Sequence, residues 1–261
     1  MRRSTEFIIG LAIVLVAGGG ILFCVMMTLL GWDFTRLGNE DFVQKNEIIS
    51  DEIKDISIRT GDADIYIVPS DEETVVVSFD VPEKAKCGVS TEGNTLTIHY
   101  EYKREMMGVM NFSFRSAKIT VYVPEKEYNS LNIKGSTSDV DCRDFHCDTI
   151  NVTTSTGDVT MDGVTCRNLS TDANTGDLKL KNVRVENELV VERSTGDVEF
   201  KKLELCGSGK ISTSTGDVEG TFANKVDCEA KSKTGSIKVP DVDSEVTCRI
   251  TTSTGVISVK E

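Results

Sequence analysis

The chain has 261 residues, a formal net charge of −13 and only 6% aromatic residues. A chain this acidic is a poor candidate for binding the phosphate backbone of nucleic acids, which requires clusters of Lys and Arg. Glycine is frequent, at 21 residues, and proline is scarce, at 4, which favours a protein of short strands and many turns.

The first predicted element is an apolar N-terminal segment. Residues 7–30 carry no charge and follow Arg2 and Arg3. A bilayer-spanning helix needs about 20 apolar residues, and basic residues before the span favour a cytoplasmic N-terminus. The sequence therefore predicts a single-pass cell-membrane protein with an extracellular C-terminal domain. Its N-terminal part is divided into a cytoplasmic end (1–6), a transmembrane helix (7–31) and a spacer (32–49).

A short polar motif, Ser-Thr-Gly-Asp, recurs through the rest of the chain. It is complete at 155–158, 194–197 and 214–217, and related versions bring the number of copies to eight. From the second copy on, successive copies are 19 or 20 residues apart, and a fixed period of this length indicates a solenoid. Apolar residues alternate on both sides of each copy, as in strands with one buried face. The sequence predicts an all-β fold, a parallel β-solenoid with regular coils over 131–261 and irregular capping coils over 50–130.

Two interpretations of the motif are open. In the first it is a turn, in which Gly adopts a positive φ and the Thr and Asp side chains hydrogen-bond to the stacked backbone. In the second the Asp residues form a column that binds Ca²⁺, because closely spaced carboxylates repel each other and a hard cation relieves that repulsion. The column would comprise Asp139, Asp158, Asp177, Asp197 and Asp217. No other cofactor is predicted.

Two pairs of cysteines occupy equivalent positions in adjacent coils. Strands of neighbouring coils lie about 4.8 Å apart, which is within the range of Cα separations that a disulfide spans. The sequence allows bridges Cys147–Cys166 and Cys228–Cys248. The alternative is that these residues are small core side chains with free thiols.

Two segments are candidate contact sites for another protein. One is an apolar insertion between predicted strands. It either packs as an extra strand or is an exposed loop that touches the membrane or binds a partner through Met106, Met107, Met110, Phe112 and Phe114. The other is the final strand, 256–261, which ends the repeat without a cap. An unpaired strand edge invites pairing with another chain, so self-association is predicted there.

Catalytic signals are weak. His99 and His146 are the only histidines. His146 precedes Cys147, but neighbours in a strand point to opposite faces and cannot form a dyad. Arg193 is the only break in the residue pattern beside the Asp column. The sequence predicts that the protein is not an enzyme.

Several stretches together resemble a known family. They are IKDISIRTGDADIYIVPSDEETVVVSF (53–79), NTLTIHY (94–100), KITVYVPEKEYNSLNIKGSTSDV (118–140) and the T-G-D repeats. They resemble the bacterial β-strand-repeat "putative adhesin" family, which includes LiaG-like envelope proteins of unknown function. The resemblance implies a solenoid at the cell surface, often behind one membrane span and in envelope-stress settings, and it implies no catalytic residues.

Three functions follow as hypotheses. The first is non-enzymatic interaction or scaffolding at the cell envelope, linked to envelope-stress signalling. The second is a surface adhesin that binds glycan or host material. The third is a polysaccharide-active enzyme built on a β-solenoid.

Overall fold

The computed structural model describes residues 2–29, 31–32, 41–102 and 115–260. The chain forms two compact units. One comprises Met1–Asp41 with Arg104–Arg115, and the other comprises Phe42–Lys103 with Ser116–Glu261. The predicted partner-binding residues Met106, Met107, Met110, Phe112 and Phe114 lie outside the described residues.

Among the described residues of the first unit, Arg2–Leu29 form a helix, α1. The helix ends where Gly31 and Trp32 take positive φ values of 66° and 59°. The Trp32 N–H donates to the Met27 carbonyl at 2.8 Å and so closes the last turn. A helix was predicted here, but its assignment as a transmembrane span is not confirmed. Within the described residues, no helix combines the length and apolarity needed to cross a bilayer.

The second unit consists of strands. The described part of the chain contains β1 (Phe42–Ile49), β2 (Asp55–Thr60), β3 (Ala63–Ser70), β4 (Val75–Pro82), β5 (Lys86–Glu92), β6 (Thr95–Glu101), β7 (Ala117–Pro124), β8 (Glu127–Lys134), β9 (Val140–Arg143), β10 (His146–Thr156), β11 (Val159–Asp162), β12 (Thr165–Thr175), β13 (Leu178–Lys181), β14 (Arg184–Thr195), β15 (Val198–Leu205), β16 (Ser208–Thr215), β17 (Val218–Phe222), β18 (Asp227–Thr234), β19 (Ile237–Lys238), β20 (Thr247–Thr254) and β21 (Ile257–Lys260).

These strands form two sheets that face each other across a narrow core. The first sheet holds the strands that precede each turn, in the order β5–β6–β2–β8–β10–β12–β14–β16–β20–β18. The second holds the strands that follow each turn, in the order β1–β4–β7–β3–β9–β11–β13–β15–β17–β21–β19. The repeated coils pair in parallel. The prediction of an all-β, solenoid-like fold is therefore confirmed.

The core is a stack of equivalent apolar side chains, one set from each coil. Ile150 lies opposite Leu131 in one neighbouring coil and Leu169 in the other, and all three are buried. Burying a side chain of this size contributes about 1.5–3 kcal/mol. Because apolar and polar side chains alternate along each strand, every coil has an apolar inner face. Only the adjacent coils can cover that face.

The coils at the C-terminal end do not follow chain order. The last coil, β20 and β21, lies between the coil of β16 and β17 and that of β18 and β19. The predicted open edge at 256–261 is thus wrong: Ile257–Lys260 pairs with β17 on one side, and its first two residues pair with β19 on the other. The reason lies in the side chains: β20 and β21 bring bulky Ile250, Ile257 and Val259, which are buried there, whereas β18 brings only small core-facing residues.

At the N-terminal end, too, the coils do not follow chain order, and antiparallel strands cap the stack. β2 and β3 lie between the coil of β6 and β7 and that of β8 and β9. Beyond this point the pairing becomes antiparallel, with β1 on β4, β4 on β7 and β5 on β6. Part of the predicted spacer over 32–49 is strand β1, since its residues pair along all of β4.

Candidate functional site

The repeated turns stack into a column on one side of the solenoid, and glycine occupies its centre. Gly157, Gly176 and Gly196 have φ values of 136°, 129° and 141°. A Cβ atom on Gly176 would lie 2.1 Å from the Gly157 carbonyl oxygen, and one on Gly196 would lie 2.1 Å from that of Gly176. Both the backbone conformation and the lack of space exclude a side chain. The turn interpretation of the motif therefore accounts for its glycine.

The Asp residues of the motif join one coil to the next. The Asp158 N–H donates to Asp139 Oδ1 at 2.8 Å, and the Asp177 N–H donates to Asp158 Oδ1 at 2.8 Å. The same bond links Asp197 to Asp177 at 2.9 Å and Asp217 to Asp197 at 2.7 Å. Hydrogen bonds to a charged acceptor are among the stronger ones in proteins. We call this arrangement the aspartate ladder, and it gives the carboxylates a structural role.

Both ends of the ladder differ from the sequence alignment of the motif. At the first step the Asp139 N–H donates to Asp64 Oδ1 at 3.2 Å. Asp64 therefore takes the place expected for Asp62, the last residue of the related motif copy at 59–62. Burial of the Asp64 carboxylate raises its pKa, and the negative charge of Asp139 raises that pKa further. At the last step the Val256 N–H donates to Asp217 Oδ1 at 2.7 Å. Val256 donates in this bond and carries no carboxylate that could accept an N–H from a further coil, so the ladder ends at Val256.

Calcium binding by the ladder stays a prediction. One oxygen of each of Asp139, Asp158, Asp177, Asp197 and Asp217 already accepts a backbone N–H. Across the described ranges, no group of three or more His, Cys, Asp or Glu side chains is arranged to hold a metal ion.

A row of buried hydroxyls lies behind the turn column. Thr154 Oγ1 donates to the Thr156 carbonyl at 3.0 Å, and Thr252 Oγ1 donates to the Gly216 carbonyl at 3.2 Å. The threonine of the motif itself, such as Thr156, is exposed. The hydroxyls that satisfy the turn carbonyls thus come from two residues earlier, a position that sequence reasoning did not single out.

Arg193 occupies this hydroxyl row in one coil. Its side chain is 4% exposed, and its three guanidinium nitrogens have no hydrogen-bond partner among the described residues. It lies opposite Ala173, whose small side chain leaves room for it. Burial lowers the pKa of Arg193, and the charges of Asp158 and Asp177 oppose that effect. The break in pattern seen in the sequence is therefore a buried cation beneath the ladder.

The predicted cysteine pairs are neighbours in the structure but remain free thiols. Cys147 pairs in register with Cys166, and Cys228 with Cys248, and all four are unbonded. Burial raises the pKa of Cys147, Cys166 and Cys248 to about 12 and that of Cys228 to about 11. Thiols with such pKa values contain little thiolate near neutral pH and react slowly. These cysteines therefore act as small core residues.

The histidine nearest to a cysteine lies at a shallow polar cleft. His146 is exposed and Cys147 is buried, so their side chains point to opposite faces, as predicted. The cleft, of about 170 Å³, is also lined by Asp148 and Arg167. The Cys147 thiol donates to the Thr149 carbonyl at 3.2 Å. This geometry offers no activated nucleophile.

The C-terminal end of the solenoid is incompletely covered. Cys228 and Ala230 pack against the core but stay partly exposed, and Ile237 is 44% exposed. A cavity of about 340 Å³ opens at the same end, lined mainly by apolar residues that include Phe222 and Val242. We call the edge strand β18, with these uncovered residues, the open end.

Several solved structures are similar to this chain at low sequence identity. A "putative adhesin" from Bacteroides fragilis is 16% identical over 84% of this chain and 97% of its own, with a TM-score of 0.47. A "putative cell adhesion protein" from Clostridium sporogenes is 12% identical over 84% and 99%, with a TM-score of 0.37. A "putative lipid binding protein" from Parabacteroides distasonis is 17% identical over 85% and 98%, with a TM-score of 0.32.

The comparison of sequences gives the family. No curated protein matches the chain. The profile of the Toastrack DUF4097 family matches residues 53–261, which is most of the chain and nearly all of its β-sheet unit. The resemblance to a "putative adhesin" family of unknown function is thereby confirmed. The chain belongs to the Toastrack DUF4097 family.

Proposed function

We propose that this protein is a non-enzymatic interaction or scaffold protein of the cell envelope. The observation that carries the proposal is the aspartate ladder, in which each carboxylate accepts a backbone N–H from the next coil. The repeated polar residues are thus engaged in building the fold. What the repeat offers to other molecules is a rigid surface with extended sheet faces.

The alternation of side chains supports this function. On β12, for example, Leu169 and Thr171 face the core, and Arg167 and Asp172 face solvent. Each coil therefore presents a short row of outward side chains about 4.8 Å from the next row. Solenoids use such extended surfaces for binding, and specificity then depends on many surface residues instead of one catalytic cluster.

Placement in the envelope is part of the proposal and rests on the sequence. The apolar run over 7–30 and the preceding Arg2 and Arg3 favour an N-terminus inside the cell and a β-sheet unit outside. Protease added to intact cells should remove a C-terminal tag that survives in a cytoplasmic control protein. Protection of the tag until the cells are lysed would contradict this placement.

The test of the function is a crosslinking pull-down from intact membranes with the full-length chain. We expect specific envelope proteins to be enriched over an untagged control. A second sample carries Ser in place of Met106, Met107, Met110, Phe112 and Phe114, with its fold checked by thermal unfolding. If the enriched set is unchanged, the apolar insertion is not the contact site, and if nothing is enriched, the interaction function fails.

A second candidate is an adhesin that binds glycan or host material, because similar structures such as the Bacteroides fragilis protein are named "putative adhesin". The purified chain should then bind glycans or host cells saturably, with no requirement for other envelope proteins. Binding to neither would remove this candidate and leave the first one intact.

A further inference from the structure

One of the two edge strands of the first sheet, β18, has an unpaired row of backbone groups. It pairs with β20 on one side, and no described strand pairs with it on the other. The Asp227 N–H points to the β20 side of the strand and donates to the Val246 carbonyl at 2.8 Å. Because backbone groups alternate in direction along a strand, Cys228, Ala230 and Ser232 direct their N–H and C=O groups to the open side. Such a row is a template for another strand.

The outward side chains of β18 divide into an acidic half and a basic half. Asp227 and Glu229 come first, and Lys231 and Lys233 follow. If the charges on an edge strand served only to prevent pairing with a second copy, charges of one sign would be enough, because they would repel those of the other copy. The division by sign instead makes the strand complementary to a reversed copy of itself.

Only one central register satisfies this complementarity. In an antiparallel pair centred on Ala230, Asp227 lies opposite the second copy's Lys233, and Glu229 lies opposite its Lys231. Centring the pair on residue 229 or 231 places two like charges opposite each other, which is destabilising. The same register brings Cys228, Ala230 and Ser232 into hydrogen-bonded positions, because all three direct their backbone groups outward.

The core-facing side of β18 fits the same arrangement. A two-fold axis perpendicular to the sheet keeps the inner face of both copies on the same side. The partly exposed Cys228 and Ala230 would then be covered by the equivalent small residues of the second copy. The uncovered Ile237 and the cavity beside Phe222 lie at the same end.

From these observations we infer that the partner of the open end is a second copy of this chain, joined by antiparallel pairing of β18 in a two-fold symmetric dimer. The inference deepens the proposed function by naming one partner, and it rests on that function in treating the solenoid as an interaction module. The Glu229–Arg249 ion pair at 2.9 Å remains in the dimer, where Glu229 also faces Lys231 of the second copy.

The test uses the charged side chains on the outward face of β18, so that the core is left intact. The full-length chain is purified in detergent and its mass is followed by sedimentation as a function of concentration. An acidic variant carries Lys231→Glu and Lys233→Glu, and a basic variant carries Asp227→Lys and Glu229→Lys. Each variant should self-associate about tenfold or more weakly than wild type, because two like-charged pairs replace two opposite ones on each side of the axis.

The decisive sample is an equimolar mixture of the two variants. It should form a heterodimer as readily as wild type forms a homodimer, because every cross-strand pair is again opposite in sign. The matched control carries Lys179→Glu and Lys201→Glu, exposed positions on the internal strands β13 and β15 with the same change in charge. The control should dimerise like wild type.

A second measurement does not depend on charge. In a background in which the exposed Cys24 and Cys206 are replaced by Ser, Ala230→Cys places two thiols opposite each other across the axis. Mild oxidation should then give a disulfide-linked dimer, whereas Lys179→Cys in the same background should not. A wild-type chain that stays monomeric, variants that dimerise like wild type, or a mixture without heterodimer would each overturn the inference. A pull-down that still enriches other envelope proteins would then leave the proposed function standing.

Discussion

The two ends of the solenoid complete the same repeat in different ways. At the N-terminal end β4 runs antiparallel to β7 and is itself covered by β1, and its inward Val77, Phe79 and Val81 are buried. At the C-terminal end β18 and the two-residue β19 leave Ala230 and Ile237 partly or largely exposed. A coil can only be buried by its neighbours. The chain itself supplies the missing neighbour at the N-terminal end, and the proposed dimer would supply it at the C-terminal end.

The ends also differ in the direction of strand pairing. Parallel coils can be extended by one more coil of the same kind, whereas the antiparallel strands at the N-terminal end interrupt the repeat. Terminal units of a solenoid usually carry such a cap. Within the described ranges no antiparallel strand follows β18, so the C-terminal coil lacks this kind of cap.

The largest expected difference between the ends lies in their apolar side chains. Phe79→Ala should lower the free energy of unfolding by about 3–5 kcal/mol, because Phe79 is 1% exposed and its loss leaves a cavity. Ile237→Ala should cost about 1 kcal/mol or less, because Ile237 is 44% exposed. Urea unfolding at low concentration, where the chain is monomeric, measures both. Equal costs would mean that the two ends are covered equally well.

The turns at the two ends should also respond differently. Gly235, in the turn after β18, has a φ of 146°, and a Cβ there would lie 1.9 Å from the Gly255 carbonyl oxygen. Gly235→Ala should therefore cost about 1–3 kcal/mol. Gly61, in the turn after β2, has no atom within 4 Å of a Cβ position and no positive φ. Gly61→Ala should change stability by less than about 1 kcal/mol, and a cost as large as that of Gly235→Ala would contradict the turn assignment.

The smallest expected effect is a pH dependence at the first step of the ladder. Burial raises the pKa of Asp64 above its ordinary value of 3.8, so its ionised form disfavours folding. Asp64→Asn keeps the Oδ1 acceptor and removes that charge. The variant should be more stable than wild type at pH 7, and its advantage should shrink as pH falls through the raised pKa and vanish below 3.8.

The control for this prediction is Asp217→Asn, the same chemical change at the last step of the ladder. This variant measures how much the free energy of unfolding changes when one negative charge is removed from a chain of net charge −13. Denaturant unfolding between pH 3 and pH 7 gives both curves. An Asp64→Asn variant that is less stable than wild type at pH 7 would show that the charge of Asp64 stabilises the fold.

Much of the fold could be predicted because the repeat is local. The alternation around each T-G turn, such as Ile150 and Val152 before one copy and Val159 and Met161 after it, fixes two strands and their inner faces. The period then fixes parallel neighbours. The role of Gly in the turn followed from the same pattern, because a residue that must have a positive φ is restricted to glycine in most turns.

The order of the coils could not be predicted, because it depends on which inner faces are bulky enough to need two neighbours. Ile250 and Ile257 are buried inside the stack, although they come last in the chain. The first member of the ladder was missed for a similar reason. Asp62 matches the motif, but the register of β3 with β9 brings Asp64 to the backbone N–H of Asp139.

The most direct test of the open end is hydrogen exchange of β18 at increasing concentrations of the full-length chain. If a second copy pairs with this strand, the amides of Cys228, Ala230 and Ser232 should become more protected as concentration rises. Peptides from β4, which is paired on both sides within the chain, should exchange at a constant rate. Exchange of β18 that is independent of concentration would contradict the account.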